Sequence, residues 1–134
     1  MPHFNLNNPD SAKRIANLME RRTADLVKMA GVEFFRQVII STPVDTGRAR
    51  FGWYGTVNTP SSSVPAEGKY SMPDVATHMN IGTITVSDKI YITNRVPYIK
   101  KLNAGSSKQA PARFVEMAAE KVQRAISRLW RKIK

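Results

Sequence analysis

Apolar residues recur at three- and four-residue steps through the first third of this chain, which places them on one face of a helix. The stripe comprises Ile15, Leu18, Met19, Leu26, Ala30, Phe34 and Val38. Capping side chains in the segment 7–11 favour a helix start there, and Pro43 pushes Thr42 out of helical geometry. The pattern predicts one amphipathic helix of about 30 residues that ends at Thr42-Pro43.

A second apolar stripe runs along the C-terminal segment, and Pro111 precedes it. The stripe comprises Phe114, Ala118, Val122, Ala125, Ile126, Leu129 and Ile133. Because this spacing is again helical, we expect the chain to end in an amphipathic helix.

The middle of the chain has the two-residue period of β-strands. Alternation over residues 51–57 predicts a short strand, and the Thr- and Ile-rich segments 84–86 and 90–92 predict a β-hairpin. Residues 59–73 are rich in proline and serine and predict a long loop, which is usually functional or mobile. We expect the segment 94–105 to be irregular.

These elements predict an α+β fold in a single domain that spans residues 1–134. Its parts are a long N-terminal helix, a small antiparallel β-sheet with a hairpin, and a C-terminal helix packed on the sheet. Residues 1–8 are expected to form an N-terminal arm ahead of the first helix.

Composition limits the class of protein. Of the 134 residues, 42% are hydrophobic and 23% are charged, which are globular proportions. The absence of cysteine excludes disulfides, thiol catalysis and cysteine-ligated zinc, and fits a reducing compartment. No apolar run approaches the ~20 residues that span a bilayer, and the N-terminus lacks the plan of a secretory signal. We therefore expect a soluble, unprocessed protein without a membrane partner.

The chain is strongly basic, with a formal net charge of +11. This balance favours nucleic acid, an acidic protein surface or an anionic membrane as partner. Part of the charge lies in the C-terminal helix, on Lys121, Arg124, Arg128, Arg131 and Lys132. These cations could follow a phosphate backbone, or they could form the solvated face that any amphipathic helix has. No aromatic platform accompanies them, so base stacking is not supported.

One tripeptide, Asp45-Thr46-Gly47, matches the motif of dimeric aspartic proteases, in which two carboxylates share a proton. That chemistry requires the aspartate to follow an apolar strand into a water-excluded interface. Here the tripeptide follows a helix and Pro43, and a cation comes next at Arg48. A turn is therefore the favoured interpretation, because Asp bonds nearby backbone and Gly permits positive φ.

The other polar candidates also lack partners for catalysis. His3 and His78 have no second ligand at metal-binding spacing. The serines at 61–63 have no histidine placed to activate them. The sequence therefore predicts no catalytic, cofactor-binding or metal-binding residues.

Two short blocks are more specific than composition. The first block is Thr42-Pro43-Val44-Asp45-Thr46-Gly47-Arg48-Ala49-Arg50, which leads to Trp53. The second block begins as Ile92-Thr93-Asn94-Arg95-Val96-Pro97-Tyr98-Ile99, then Leu102-Asn103-Ala104-Gly105 and Ala110-Pro111-Ala112-Arg113-Phe114-Val115. In this order and spacing they resemble the neck or tail-completion (head–tail joining) proteins of tailed bacteriophages, the family of lambda-like minor tail protein Z. The resemblance covers residues 10–134.

The resemblance implies a structural virion protein that forms a homo-oligomeric ring, expected to be a hexamer, at the head–tail junction. Its implied neighbours are the portal or adaptor and the tail terminator or tail tube, with genomic DNA passing through the ring. The implied fold and assembly residues are Pro43, Asp45, Thr46, Gly47, Arg48, Trp53, Asn94, Pro97, Tyr98, Gly105, Pro111 and Phe114. This chain departs from the family at Asn103-Ala104, where an acidic residue is common.

Physical chemistry assigns these block residues to joints in the fold. Pro43 stops the helix, and Asp45 and Gly47 form a turn that directs the chain into the sheet. Asn94 can end its strand by bonding backbone, and Pro97-Tyr98 forms a rigid, half-buried corner. None of them is a reacting group.

Two alternatives to the structural role remain open at this point. One is a free, sequence-nonspecific nucleic-acid-binding protein, for which the net charge is the argument. The other is an amphipathic-helix membrane binder. The second is disfavoured because the apolar stripe of the last helix is better used on a sheet.

Overall fold

The computed structural model describes residues 9–106 and 112–133, so the predicted arm 1–8 and Pro111 lie outside the described residues. The predicted α+β class is confirmed: a long N-terminal helix, a two-stranded antiparallel sheet and a C-terminal helix form the fold. The elements are, in chain order, α1 (Pro9–Ser41), α2 (Arg48–Phe51), β1 (Trp53–Val57), α3 (Val75–His78), β2 (Ile90–Asn94), α4 (Ile99–Asn103) and α5 (Phe114–Ile133).

Helix α1 ends where the sequence predicts, at the residue before Thr42-Pro43. The Thr42 hydroxyl donates to the Val38 carbonyl one turn earlier and accepts a hydrogen bond from the indole Nε1–H of Trp53 at 2.8 Å. Both Thr42 and Trp53 are buried. This chain of hydrogen bonds joins the C-terminal end of α1 to the first residue of the sheet.

The sheet pairs β1 with β2 in antiparallel register, from Trp53 opposite Asn94 to Val57 opposite Ile90. The first strand begins two residues later than the alternation predicts, because Phe51 closes the one-turn helix α2. Asn58 continues the pairing beyond β1, since its amide donates to the Lys89 carbonyl at 2.7 Å.

The predicted hairpin is wrong, because Ile84 and Val86 form no strand and β2 pairs with β1 instead. The Asp88 carboxylate accepts from the Thr85 amide at 2.8 Å and from the Asn58 side chain at 3.0 Å. These bonds close a tight turn and occupy an amide that a strand ladder would need. The hydrogen bond from Asn58, followed by that from Thr85, lowers the pKa of Asp88.

Two further predictions concern the connecting segments. Residues 59–73 form a loop without helix or strand, as expected. The segment 94–105 is not wholly irregular, because α4 lies within it and follows a turn at residues 97–98.

The core lies where α1, α5 and the sheet meet. The cluster of buried side chains comprises Phe35, Val38, Ile39, Trp53, Met79, Ile81, Phe114 and Ala118. Helix α5 runs antiparallel along α1: Lys121 Nζ donates to Gln37 at 3.4 Å, while Leu129 shares a groove with Met29, more than two turns earlier in α1. Within the described ranges, no helix is long and apolar enough to cross a membrane.

A double-mutant cycle tests the bond between α1 and β1. We expect Trp53→Phe and Thr42→Val each to lower the free energy of unfolding by about 1–3 kcal/mol, because each leaves a buried polar group without its partner. The double variant should lose less than the sum of the two, by about 1 kcal/mol. Urea denaturation measures all four proteins, and strictly additive losses would show that the two groups do not interact.

Candidate functional site

The two sequence blocks meet in space at the end of the sheet. The side chain of Asn94 donates from Nδ2 to the Ala49 carbonyl at 2.7 Å and accepts from the Val96 amide at 3.0 Å. The predicted strand-ending role of Asn94 is thereby confirmed. We call residues 42–52 together with 94–98 the joint, because this region connects α1, the sheet and α4.

Gly47 provides the turn at the centre of the joint. Its φ of 85° lies in the left-handed region, which favours glycine. A Cβ at this position would overlap the Tyr70 carbonyl oxygen. At the same contact, the Tyr70 amide donates to the Thr46 carbonyl at 2.8 Å. The glycine therefore allows the long loop to lie directly on the first block.

Arg48 holds the same loop by its side chain. Its Nε donates to the Pro65 carbonyl at 2.9 Å, and its guanidinium lies 5.9 Å from the centroid of the Tyr98 ring, within cation–π range. Arg48 thus links the first block to the second block and to the loop. Residues 59–73, predicted to be functional or mobile, are attached at Pro65 and at Tyr70.

An aromatic cluster extends the joint to β1 and α3. The rings of Tyr70 and Phe51 stack at 4.6 Å, Phe51 meets His78 edge-on at 4.3 Å, and His78 stacks on Tyr54 at 4.5 Å. His78 is only 6% exposed, and its Nδ1 lies 2.9 Å from the Trp53 carbonyl, which identifies Nδ1 as the hydrogen-bond donor. Burial, with a contribution from the nearby Tyr70, raises the pKa of Tyr54.

Sequence reasoning did not find this cluster. His78 was treated as isolated, and Tyr70 lies in the loop without a motif around it. No local sequence pattern identifies either residue as part of the cluster, because a segment of loop separates each of them from its ring partners. The only available signal was the number of aromatic residues between positions 51 and 78.

The second block begins α5 through Asn103. Its Oδ1 accepts from the Val115 amide at 3.0 Å, and its Nδ2 donates to the Glu116 carboxylate at 2.9 Å. Gly105 follows α4 with a φ of 98°, which is typical of a helix end. The Asn103 amide group thus caps the first turn of α5. Phe114 is then 2% exposed, in the core.

The remaining motif residues vary in burial. Pro43 and Tyr98 are half-buried, whereas Pro97 is exposed, so the expected half-buried corner applies to Tyr98 alone. Asp45 is also exposed, at a bend before α2. An aspartic-protease carboxylate works in a water-excluded setting, and this one does not have such a setting in the single chain.

A cavity of about 350 Å³ opens at the joint. Its lining consists of residues from the two blocks with Leu102, and its charged members are Asp45 and Arg48. Arg50, which also belongs to the first block, keeps its Nε buried with no hydrogen-bond partner among the described residues. In the part of the chain described, no three His, Cys, Asp or Glu residues are grouped as metal ligands.

The basic residues of α5 lie apart from the joint. Lys121, Arg124, Arg128 and Arg131 are all exposed, and a period of 3.6 residues places them within an arc of roughly 100°. Trp130 is half-buried and lies outside this arc. The side chain of Lys132 lies outside the described residues.

No family model, curated protein or solved structure matches this chain.

A pair of glycine substitutions tests how closely the loop lies on the joint. Gly47→Ala and Gly82→Ala both place a side chain at positive φ, but only Gly47 has a backbone oxygen in the path of the Cβ. We expect Gly82→Ala to cost about 1 kcal/mol of unfolding free energy. Gly47→Ala should cost about 2 kcal/mol more, because the Tyr70 backbone must move. Equal losses in urea denaturation would contradict the close contact.

Proposed function

We propose that this chain is a structural subunit of a bacteriophage head–tail connector. Copies of it close into a ring, with a hexamer as the expected form, in the neck of the virion. The ring completes the neck or tail and lets DNA pass between head and tail. The observation that carries the proposal is the joint: the two blocks behind the resemblance come together, and Asn94 of the second block bonds the Ala49 carbonyl of the first.

The joint supports a building role because it fixes the angles between elements. Asn94 at the end of the sheet bonds the Ala49 carbonyl of α2. The long loop is held by two bonds, from Arg48 to the Pro65 carbonyl and from the Tyr70 amide to the Thr46 carbonyl. A subunit of a closed ring must present two different surfaces at a fixed relative angle. A rigid connection between the helices and the sheet supplies that requirement.

Exposed apolar side chains support assembly with other chains. Large hydrophobic residues that remain exposed are Val27, Met29, Ile40, Val64, Met72, Val86 and Met117. They lie on α1, on the loop, on the Thr85–Asp88 turn and on α5, so several faces of the subunit have apolar contact points. Single exposed apolar residues are common on protein surfaces. Ile40 is nevertheless 69% exposed although it directly follows the buried Val38 and Ile39 in α1.

The positive charge supports the passage of DNA. Ring subunits with a net charge of +11 would create an attractive field for phosphate along a channel. The exposed arc of cations on α5 is a local source of such a field. In this interpretation the arc acts at long range and needs no base contacts.

A charge-reversal experiment tests the role of the arc in the phage that encodes the chain. We expect Arg124→Glu, Arg128→Glu and Arg131→Glu together to reduce the yield of infectious particles about tenfold or more, with tailless or empty heads accumulating. The matched control reverses Lys89, Lys100 and Lys101, which are exposed and lie outside both the arc and the joint. An unchanged yield, or an equal loss in the control, would contradict the proposal.

A free, sequence-nonspecific nucleic-acid-binding protein is the second candidate, because the same arc could follow a phosphate backbone directly. The purified chain distinguishes the two. Micromolar affinity for random duplex DNA at physiological salt, with a steep salt dependence and no assembly beyond the monomer, would favour this candidate. Weak binding together with a ring-sized species in sedimentation would favour the connector.

A further inference from the structure

A groove runs between α1 and α5 on the side away from β2. We call it the α1–α5 groove, and its cavity volume is about 670 Å³. Its apolar lining comprises Met29, Val32, Val122, Ala125, Ile126 and Leu129. Met29 is 53% exposed, so the described part of the chain leaves this floor open to solvent.

The open floor arises from the second half of the α5 stripe. Phe114, Ala118 and Val122 are buried against the core, whereas Ala125 is exposed and Leu129 is half-buried. The apolar face of an amphipathic helix is normally covered by another element. Among the side chains that the structure describes, those of this stripe are fully buried only as far as Val122, and the apolar pattern continues beyond it.

The α1 side of the groove rim carries charges of both signs. Lys28 and Arg36 line it on α1, together with Asp25 and Glu33. Glu33 accepts a hydrogen bond from Gln37 and Lys28 donates to the Gly82 carbonyl. Both partners are neutral, so the two cations and two carboxylates of the α1 side all keep their charge.

Helix α5 supplies the rest of the rim charge. Lys121 and Arg128 are the neighbours of Ala125 at i−4 and i+3, which places both on the groove side of the helix. Both are exposed. The rim of α5 is thus basic along the length of the open floor.

We propose that the α1–α5 groove binds an acidic amphipathic helix of a partner protein. The apolar stripe of that helix would cover Met29, Ala125 and Leu129 and complete a three-helix packing. Its flanking carboxylates would meet Lys121, Arg128 and Arg36 at the rim, which favours an acidic partner over a basic one. This docking surface does not depend on the formation of a ring.

Two other occupants fit the groove less well. A helix from a second copy would bring like charges to the rim, because α1 and α5 each carry more Lys and Arg than Asp and Glu. A nucleic acid would satisfy Lys121 and Arg128 but would leave the apolar floor without contacts. Both remain outcomes of the experiment below.

The probe is a synthetic peptide of about 18 residues, which is long enough to form a helix when it binds. It carries Leu along one face and Glu elsewhere, and the comparison peptide carries Lys in place of every Glu. Fluorescence anisotropy measures the affinity of the full chain for each peptide at about 0.1 M salt. At this salt concentration, exposed charges within about 10 Å of each other still interact. We expect the Glu peptide to bind at least about tenfold more tightly than the Lys peptide.

Variants locate the binding. Ala125→Glu places a charge on the floor, and Arg128→Glu reverses the rim; each should weaken the Glu peptide about tenfold. Lys101→Glu makes the same charge change as Arg128→Glu on an exposed position of α4 and should leave binding unchanged. Because Ala125 and Arg128 are exposed, both variants should fold, which far-ultraviolet circular dichroism checks.

Several results would overturn the proposal. Equal binding of the two peptides, or no effect of Ala125→Glu, would exclude an acidic helix on this floor. Self-association of the chain that Ala125→Glu abolishes would identify a second copy as the occupant. Displacement of the peptide by random duplex DNA, with DNA affinity unaffected by Ala125→Glu, would identify the rim as a nucleic-acid surface.

Discussion

The hydrogen bond from the Trp53 indole to the Thr42 hydroxyl is the interaction on which the arrangement of this fold depends. It fixes the first residue of β1 against the last turn of α1, and the register of β1 then places Asn94 opposite Trp53. Asn94 in turn bonds Ala49 and Val96 and so positions both blocks. Since the Thr42 hydroxyl also bonds the Val38 carbonyl, the helix end and the strand start share one polar group inside the core.

Local chemistry made a large part of the fold predictable. Pro43 stops α1, Gly47 takes a left-handed φ, and Asn94 bonds the backbone beyond its strand, each for a reason that involves only its immediate neighbours. The partner of β2 could not be predicted in this way, because alternation shows that a segment is a strand without showing what it pairs with. The predicted hairpin does not form, because Asp88 accepts a hydrogen bond from the Thr85 amide, which a strand ladder would need.

Of the two surfaces relevant to function, one could be predicted from the sequence and the other could not. The cations of α5 could be counted in the sequence, and helical spacing placed them on one arc. The α1–α5 groove could not be predicted, because in the sequence the apolar stripe of α5 is continuous from Phe114 to Ile133. Only the structure shows that, among the described side chains, full burial of this stripe ends near Val122. Helical spacing then places Lys121 and Arg128 beside Ala125 of the apolar floor. The basic face is therefore better described as the rim of a groove than as an isolated charged stripe.

The contacts of Gly47, Arg48 and Tyr70 predict that the joint and the loop it holds unfold only with the whole domain. Native-state hydrogen exchange tests this directly at the Tyr70 amide, which bonds the Thr46 carbonyl. We expect this amide to exchange with a free energy close to that of global unfolding, as the amide of the buried Phe35 should. The exposed Val64 should exchange without such protection. A Tyr70 amide that exchanges as fast as that of Val64 would contradict the account.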